Sequence, residues 1–267
     1  MSRESSDAGA GLLTGLAVDG FADGDPGRSV GIASLRGPQV SALVRADVPR
    51  PAASVMKLPL VAAVHGAARA GAIDLDARVR AADLPTTSYR SMLAAFDPDH
   101  EFSLRELCAL CLVTSDNPIA DHLLGRVGTD AVNRQAALWG CRTTRLTVGF
   151  GDNFLGDAGR ANVTTVRDAL LMIRALMRRP LRVEVMRPLA HNLRNFRIPL
   201  RLPDDLEVPH KTGSLAAVAN DVGAVLGVRS DVAVAFLCDE QVDTARTSVE
   251  IGDCMAKVWS ALGEELA

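Results

Sequence analysis

Ser54-Val55-Met56-Lys57 puts a hydroxyl and an amine three residues apart, a spacing that brings both to one face of a helical turn. A serine hydroxyl is a weak nucleophile until a neighbouring base takes its proton. Lysine can be that base only where burial or a second cation depresses its pKa. Two more motifs follow in order: Ser115-Asp116-Asn117, then Lys211-Thr212-Gly213 with Ser214 behind it. Lys211 is the candidate second cation. Ser115, at a turn after a helix, can relay a proton between Lys57, Lys211 and a leaving nitrogen. The chemistry these residues suit is nucleophilic acyl transfer, with Ser54, Lys57, Ser115 and Lys211 as the catalytic candidates.

The substrate-binding candidates are Asn117, Thr212, Gly213 and Ser214. The Asn117 amide can accept from Lys57 and donate to a substrate carbonyl. Lys211, Thr212 and Ser214 offer a cation and two hydroxyls to a carboxylate. The amides of Ser54 and Ser214 are the expected oxyanion donors, helped by a helix N-terminus at Ser54. Asp116 reads as a structural residue holding its turn. Each motif alone has an ordinary explanation: a helix cap, a turn, a strand end. All three in this order, each on the element its role requires, favour chemistry.

The elements that must position these residues fall into two groups. Ser29–Leu35 and Ala42–Val48 are β-rich runs across a Gly-Pro turn. Near the other end, Asn220–Val228 and Asp231–Asp239 form a second hairpin, preceded by a short strand around Val208–Leu215. Between them the pattern is helical: a capping box at Ser103–Glu106, a helix over Ile119–Val127 closed by Gly128, another over Ala131–Trp139 closed by Gly140, and a long apolar helix opened by Thr165. Helices near Gly11–Val18 and over Thr247–Leu262 should pack on the sheet. The expected fold is α+β: a five-stranded antiparallel sheet flanked by terminal helices, with an inserted all-α lobe. The whole chain, 1–267, is one unit, with 10–50 and 200–267 as the sheet lobe and 51–199 as the helical lobe. The cleft between lobes is the expected place for chemistry.

A formal charge of −3 over 267 residues gives no attraction to nucleic acid or to an anionic membrane. The N-terminus lacks a basic start followed by a long apolar run, so a cytoplasmic location is expected. The five cysteines are odd in number and scattered, as reduced core residues are. Cys108 and Cys111 form a C-x-x-C, but no second ligand pair completes a zinc site. No histidine spacing suggests a metal, and no glycine-rich cofactor loop occurs. The expected partner is a small-molecule substrate, with neither cofactor nor metal. Of the histidines, His210 alone is placed to approach the cleft, and Tyr89 and Phe96 are candidates for its wall.

The ordered set S-x-x-K, S-D-N and K-T-G is that of class A β-lactamases and penicillin-binding proteins. Ser103–Leu124 resembles the corresponding helix and turn of class A β-lactamase-like serine hydrolases. Asn162–Thr165 and Pro209–Asp221 are similar to the soluble β-lactamase-related branch, and the resemblance runs from about Val30 to Leu262. It implies a penicillin-recognising serine enzyme in which Ser54 is acylated by a lactam, amide or ester.

The chain departs from class A enzymes in one respect that bears on mechanism. Those enzymes carry a glutamate, between S-D-N and K-T-G, that activates the deacylating water. Residues 145–162 contain no glutamate, and its place falls near Gly149, Phe150 and Gly151. Asp152 and Asp157 are the only carboxylates nearby and read as loop or cap residues, with Arg160 as a pairing partner. Slow deacylation is therefore expected. No cation is evident on the strand after K-T-G, so carboxylate recognition should rest on Lys211, Thr212 and Ser214 alone. The alternatives are a cytosolic amidase, esterase or acyltransferase of secondary metabolism, and a non-catalytic β-lactam-binding or sensing protein.

Overall fold

A computed structural model describes residues 3–37, 39–151 and 162–264. Five strands form an antiparallel sheet: β1 (Arg28–Arg36), β2 (Ser41–Val44), β3 (His210–Leu215), β4 (Val218–Leu226) and β5 (Asp231–Cys238). Their order is β2-β1-β5-β4-β3, so strands from both ends of the chain meet where β1 pairs with β5, Val30 opposite Phe236. β3 is left as an edge, with Lys211 opposite Val222 and Ser214 opposite Ala219. This is the expected sheet, with boundaries moved by a few residues.

Both faces of the sheet are covered, which is why β4 and β5 read as nearly unbroken apolar runs. Alternation in β5 decides what each face meets. Val232, Val234 and Phe236 pack with the terminal helices α1 (Arg3–Ala22) and α7 (Thr244–Ala261). Ala233, Ala235 and Leu237 face the helical lobe. Burying each large apolar side chain contributes ~1.5–3 kcal/mol. The small residues have a separate purpose. A Cβ on Gly31 would lie 2.5 Å from Val166 Cγ1, so glycine lets α6 (Val166–Leu176) press directly onto the sheet.

The lobe between the sheet halves contains α2 (Lys57–Arg69), α3 (Leu104–Val113), α4 (Asn117–Val127), α5 (Thr129–Leu138) and α6. Their limits follow local chemistry. Ser103 accepts from the Glu106 amide while Glu106 accepts from the Ser103 amide, the reciprocal cap anticipated for α3. Gly128 and Gly140 take positive φ, 77° and 86°, where the helices before them end. The lobe was expected to be all-α and is not quite so. Arg78–Arg80 pairs with Glu101–Ser103, and Arg50–Pro51 with Val163–Thr164. These ladders satisfy backbone groups in connections that lack a helical apolar period. Among the described residues, no helix is long and apolar enough to cross a membrane.

Candidate active site

Ser54 lies in a 3-10 turn, Ala53–Met56, that leads into α2 at Lys57, rather than opening an α-helix as the motif spacing suggested. Helix α2 starting at Lys57 also explains how Pro59 is tolerated, since its missing N–H falls among the first-turn amides that have no helical partner. The turn is held from behind by the sheet. Asn220 on β4 donates to the Pro51 carbonyl at 2.7 Å, and the Ala52 amide donates to the Asn162 carbonyl at 2.7 Å. Gly213 makes room: a Cβ there would stand 3.0 Å from the Ala52 carbonyl oxygen and 3.2 Å from Ala53 Cβ. The edge strand β3 can therefore lie directly against the turn that bears Ser54.

Two residues at the site occupy the left-handed region without being glycine: Ala53 at φ 49° and Ser115 at φ 62°. Each such conformation costs on the order of 1–3 kcal/mol and survives only where its surroundings enforce it. Around Ser115 those surroundings are polar. Lys57 Nζ donates to the Ser115 carbonyl at 2.6 Å and to Asn117 Oδ1 at 2.6 Å, and lies 3.2 Å from Ser54 Oγ and 3.3 Å from Ser115 Oγ. Lys211 Nζ is 2.8 Å from Ser115 Oγ and 2.9 Å from the Thr212 carbonyl. Ser54, Lys57, Ser115, Asn117 and Lys211 thus form one connected cluster.

Both lysines are fully buried. Burial lowers Lys57 from 10.5 to about 8, and the nearby Arg194 guanidinium acts in the same direction. Burial also depresses Lys211 strongly, and the charge of Lys57 is the next cause. The hydrogen bonds indicate where a neutral Lys57 must aim its lone pair. A neutral amine has two N–H donors, and the Ser115 carbonyl and Asn117 Oδ1, which can only accept, consume both. What remains is directed at the hydroxyls of Ser54 and Ser115.

Asp116 is structural, as expected. It caps α4 by accepting from the Ile119 amide, and its other oxygen accepts from Ser91 Oγ and the Met92 amide. Thr212 and Ser214 line the cleft, which has a volume of about 380 Å³, together with Ser54, Ser115, Asn117 and Tyr89. Phe96 does not wall it; its ring packs edge-on against Phe102, 5.4 Å between centroids. His210 is absent from the cleft as well. Its buried ring pairs with Asp221 at 2.9 Å and with Asn195 Oδ1 at 3.1 Å.

Two arginines from the segment before β3 stand near the residues expected to recognise a carboxylate, Lys211, Thr212 and Ser214. Arg197, in the segment before β3, is buried and donates to Ser214 Oγ at 2.8 Å and to the Gly213 and Asn220 carbonyls. Arg194 lines the cleft and donates to the Thr114 carbonyl at 3.4 Å. Neither belongs to a local motif. The His210–Asp221 pair fastens their segment, because Asp221 also accepts from the Ile198 amide. No short-range pattern in the sequence signals this.

Beside α4 lies Phe150, one of the three residues near which the place of the class A glutamate was expected. Its ring is fully buried, with the centroid 5.2 Å from Lys57 Nζ, and its amide donates to Asp121 Oδ1 at 2.6 Å. At Gly151 a Cβ would lie 2.4 Å from Thr87 Cγ2, so no side chain fits there without displacement. Asp152, Asp157 and Arg160 lie outside the described residues. All five cysteines are buried and free, and burial pushes the Cys111 thiol up to about 11. Among the described residues, no cluster of His, Cys, Asp and Glu could hold a metal.

The fold has counterparts among known proteins. A β-lactamase from Sphaerobacter thermophilus is 25% identical, with a TM-score of 0.83 over 94% of this chain and 97% of that one. A β-lactamase from Chitinophaga pinensis is 22% identical, with a TM-score of 0.81 over 93% and 98%. A PBP-A variant, solved as an acyl-enzyme complex with penicillin-G, is 21% identical, with a TM-score of 0.78 over 94% and 96%. No curated protein matches the chain. The family model described as "Beta-lactamase enzyme family" matches residues 18–262, a span that takes in the serine–lysine cluster and every strand of the sheet, and the chain accordingly belongs to that family.

Proposed function

We propose that this protein is a serine hydrolase of the β-lactamase type, which forms an acyl-enzyme at Ser54 with a β-lactam or a related amide or ester and releases it slowly. The observation that carries the proposal is the position of Lys57, buried, lowered to about 8 and 3.2 Å from Ser54 Oγ. Neutral Lys57 takes the Ser54 proton as Oγ attacks the carbonyl carbon. The oxyanion forms beside the turn of Ser54 and the edge of β3, where the Ser54 and Ser214 amides are the candidate donors. Lys211 donates to Ser115 Oγ, which leaves the Ser115 proton free to pass to the leaving nitrogen. The C–N bond then breaks, and Lys57 returns its proton to Ser115.

Release requires a water activated on another side of the adduct. The wall there carries the Phe150 ring, which can neither accept a proton nor orient a water. Slow turnover follows, and the same observation favours a second reading, a protein that captures a lactam and retains it. Intact-mass analysis after mixing with penicillin-G tests both. A lasting adduct, lost in Ser54→Ala, supports acylation with slow release. Rapid turnover without an adduct removes the slow step, and an adduct that survives Ser54→Ala overturns the nucleophile.

A further inference from the structure

The rim of the cleft carries more positive charge than one substrate carboxylate would use. It is lined by Arg90 and Arg194, both exposed and neither paired with a carboxylate among the described residues, while Lys57 and Lys211 lie buried in contact with Ser115. Among the described residues the only carboxylate in the lining is Asp116, whose two oxygens are occupied by Ser91 Oγ and by the Met92 and Ile119 amides. A chain of net charge −3 has thus gathered, at the opening that admits substrate, two cations that no carboxylate among the described residues neutralises. Such a cluster concentrates anions, because a cleft with low-dielectric walls focuses the field of its charges.

The two arginines line the same cleft as Ser115. Arg194 donates to the carbonyl of Thr114, the residue before it. Arg90 precedes Ser91, whose hydroxyl donates to Asp116, the residue after it. We propose that Arg90 and Arg194 together form a second anion site, so that the preferred substrate carries two anionic groups on its leaving half: one at Thr212 and Ser214, the other between these arginines. The leaving half is specified because Ser115 delivers its proton to the leaving atom, and the arginines line the cleft into which that hydroxyl opens. This assignment of the half rests on the acyl-transfer reading, whereas the anion site itself does not. Neighbouring observations agree. Arg194 is near enough to push both lysines downward in pKa, so an anion neutralising it would also relieve repulsion at the floor of the cleft. Guanidinium groups, moreover, recognise carboxylates through paired charge-assisted hydrogen bonds.

Equilibrium binding to the whole chain separates the two ideas. Calorimetry with 3-hydroxybenzoate and 5-hydroxyisophthalate compares otherwise matched leaving groups bearing one and two carboxylates. The dianion is expected to bind ~10-fold tighter at low ionic strength, with the preference shrinking as salt is added. In Arg194→Ala and in Arg90→Ala the preference should fall to about 2-fold or less, since one guanidinium alone offers half the site. Equal binding of both anions by the unmodified chain, undetectable binding of both, or a preference retained in both variants overturns the proposal. The salt series on the unmodified chain stands even if a variant fails to fold. Intact-mass analysis with the hippuryl esters of the same two phenols reads Ser54 acylation independently. No adduct alongside a clear dianion preference would discard the acyl-transfer reading and leave the anion site standing.

Discussion

The two walls around Ser54 are built on opposite principles. Toward α4, every polar group is tied to another: Lys57 to Ser115 and Asn117, Lys211 to Ser115 and Thr212, Asp116 to three donors. Toward residues 145–151, the surface nearest Lys57 is an aromatic ring. In the proposed reaction the polar wall stabilises proton transfer out of a hydroxyl, with its buried amine kept ready by desolvation, and the carbon wall withholds the acceptor that a hydrolytic water needs. Under that proposal capture and release are separable, because different residues on different elements would control them.

Ser54→Ala is the most severe way to break the comparison: covalent adduct formation with any lactam should vanish by mass analysis, because Ser115, the other hydroxyl beside the base, is held by Lys211. Lys57→Ala comes next. It should slow acylation by ~10³-fold in stopped-flow traces, as expected for loss of a positioned general base. A change of less than tenfold would move that role to Lys211.

Phe150→Glu sharpens the contrast from the other side. A carboxylate in place of the ring should shorten the adduct lifetime by ~10–100-fold while leaving acylation within a few-fold. An unchanged lifetime would show that the carbon wall is not what delays release. The smallest effect is the pH dependence of acylation. Since Lys57 must be neutral to act and is lowered to about 8, the rate should rise with pH by ~10-fold between pH 7 and 9 and then level off. A rate that is flat, or that falls, across this range would exclude neutral Lys57 as the base.

Much of the fold was legible because it depends on short-range signals. The reciprocal cap at Ser103, the glycines closing α4 and α5, and the two hairpins all occur within a few residues of one another. The serine–lysine cluster was legible for another reason. Ser54 and Lys57 are three apart, and Ser115 and Lys211 belong to motifs whose order is informative even though 96 positions separate the two residues. What misled was equally particular. His210 adjoins Lys211 in sequence, yet it turns inward to Asp221, since adjacent residues of a strand point to opposite faces. Phe96 was a plausible wall residue, but it found Phe102 instead.

The sequence by itself determined which residues could do chemistry, the class of that chemistry, and the sheet that both ends of the chain build. Those properties depend on residue type, local spacing and alternation. Only the tertiary structure decided that Ala53 and Ser115 hold left-handed backbone, that Arg194 comes to the cleft and Arg197 to Ser214, and that the Phe150 ring faces Lys57. Contacts between distant segments leave no periodic trace along the chain. They arise only when packing brings the segments together and burial sets what each side chain must meet.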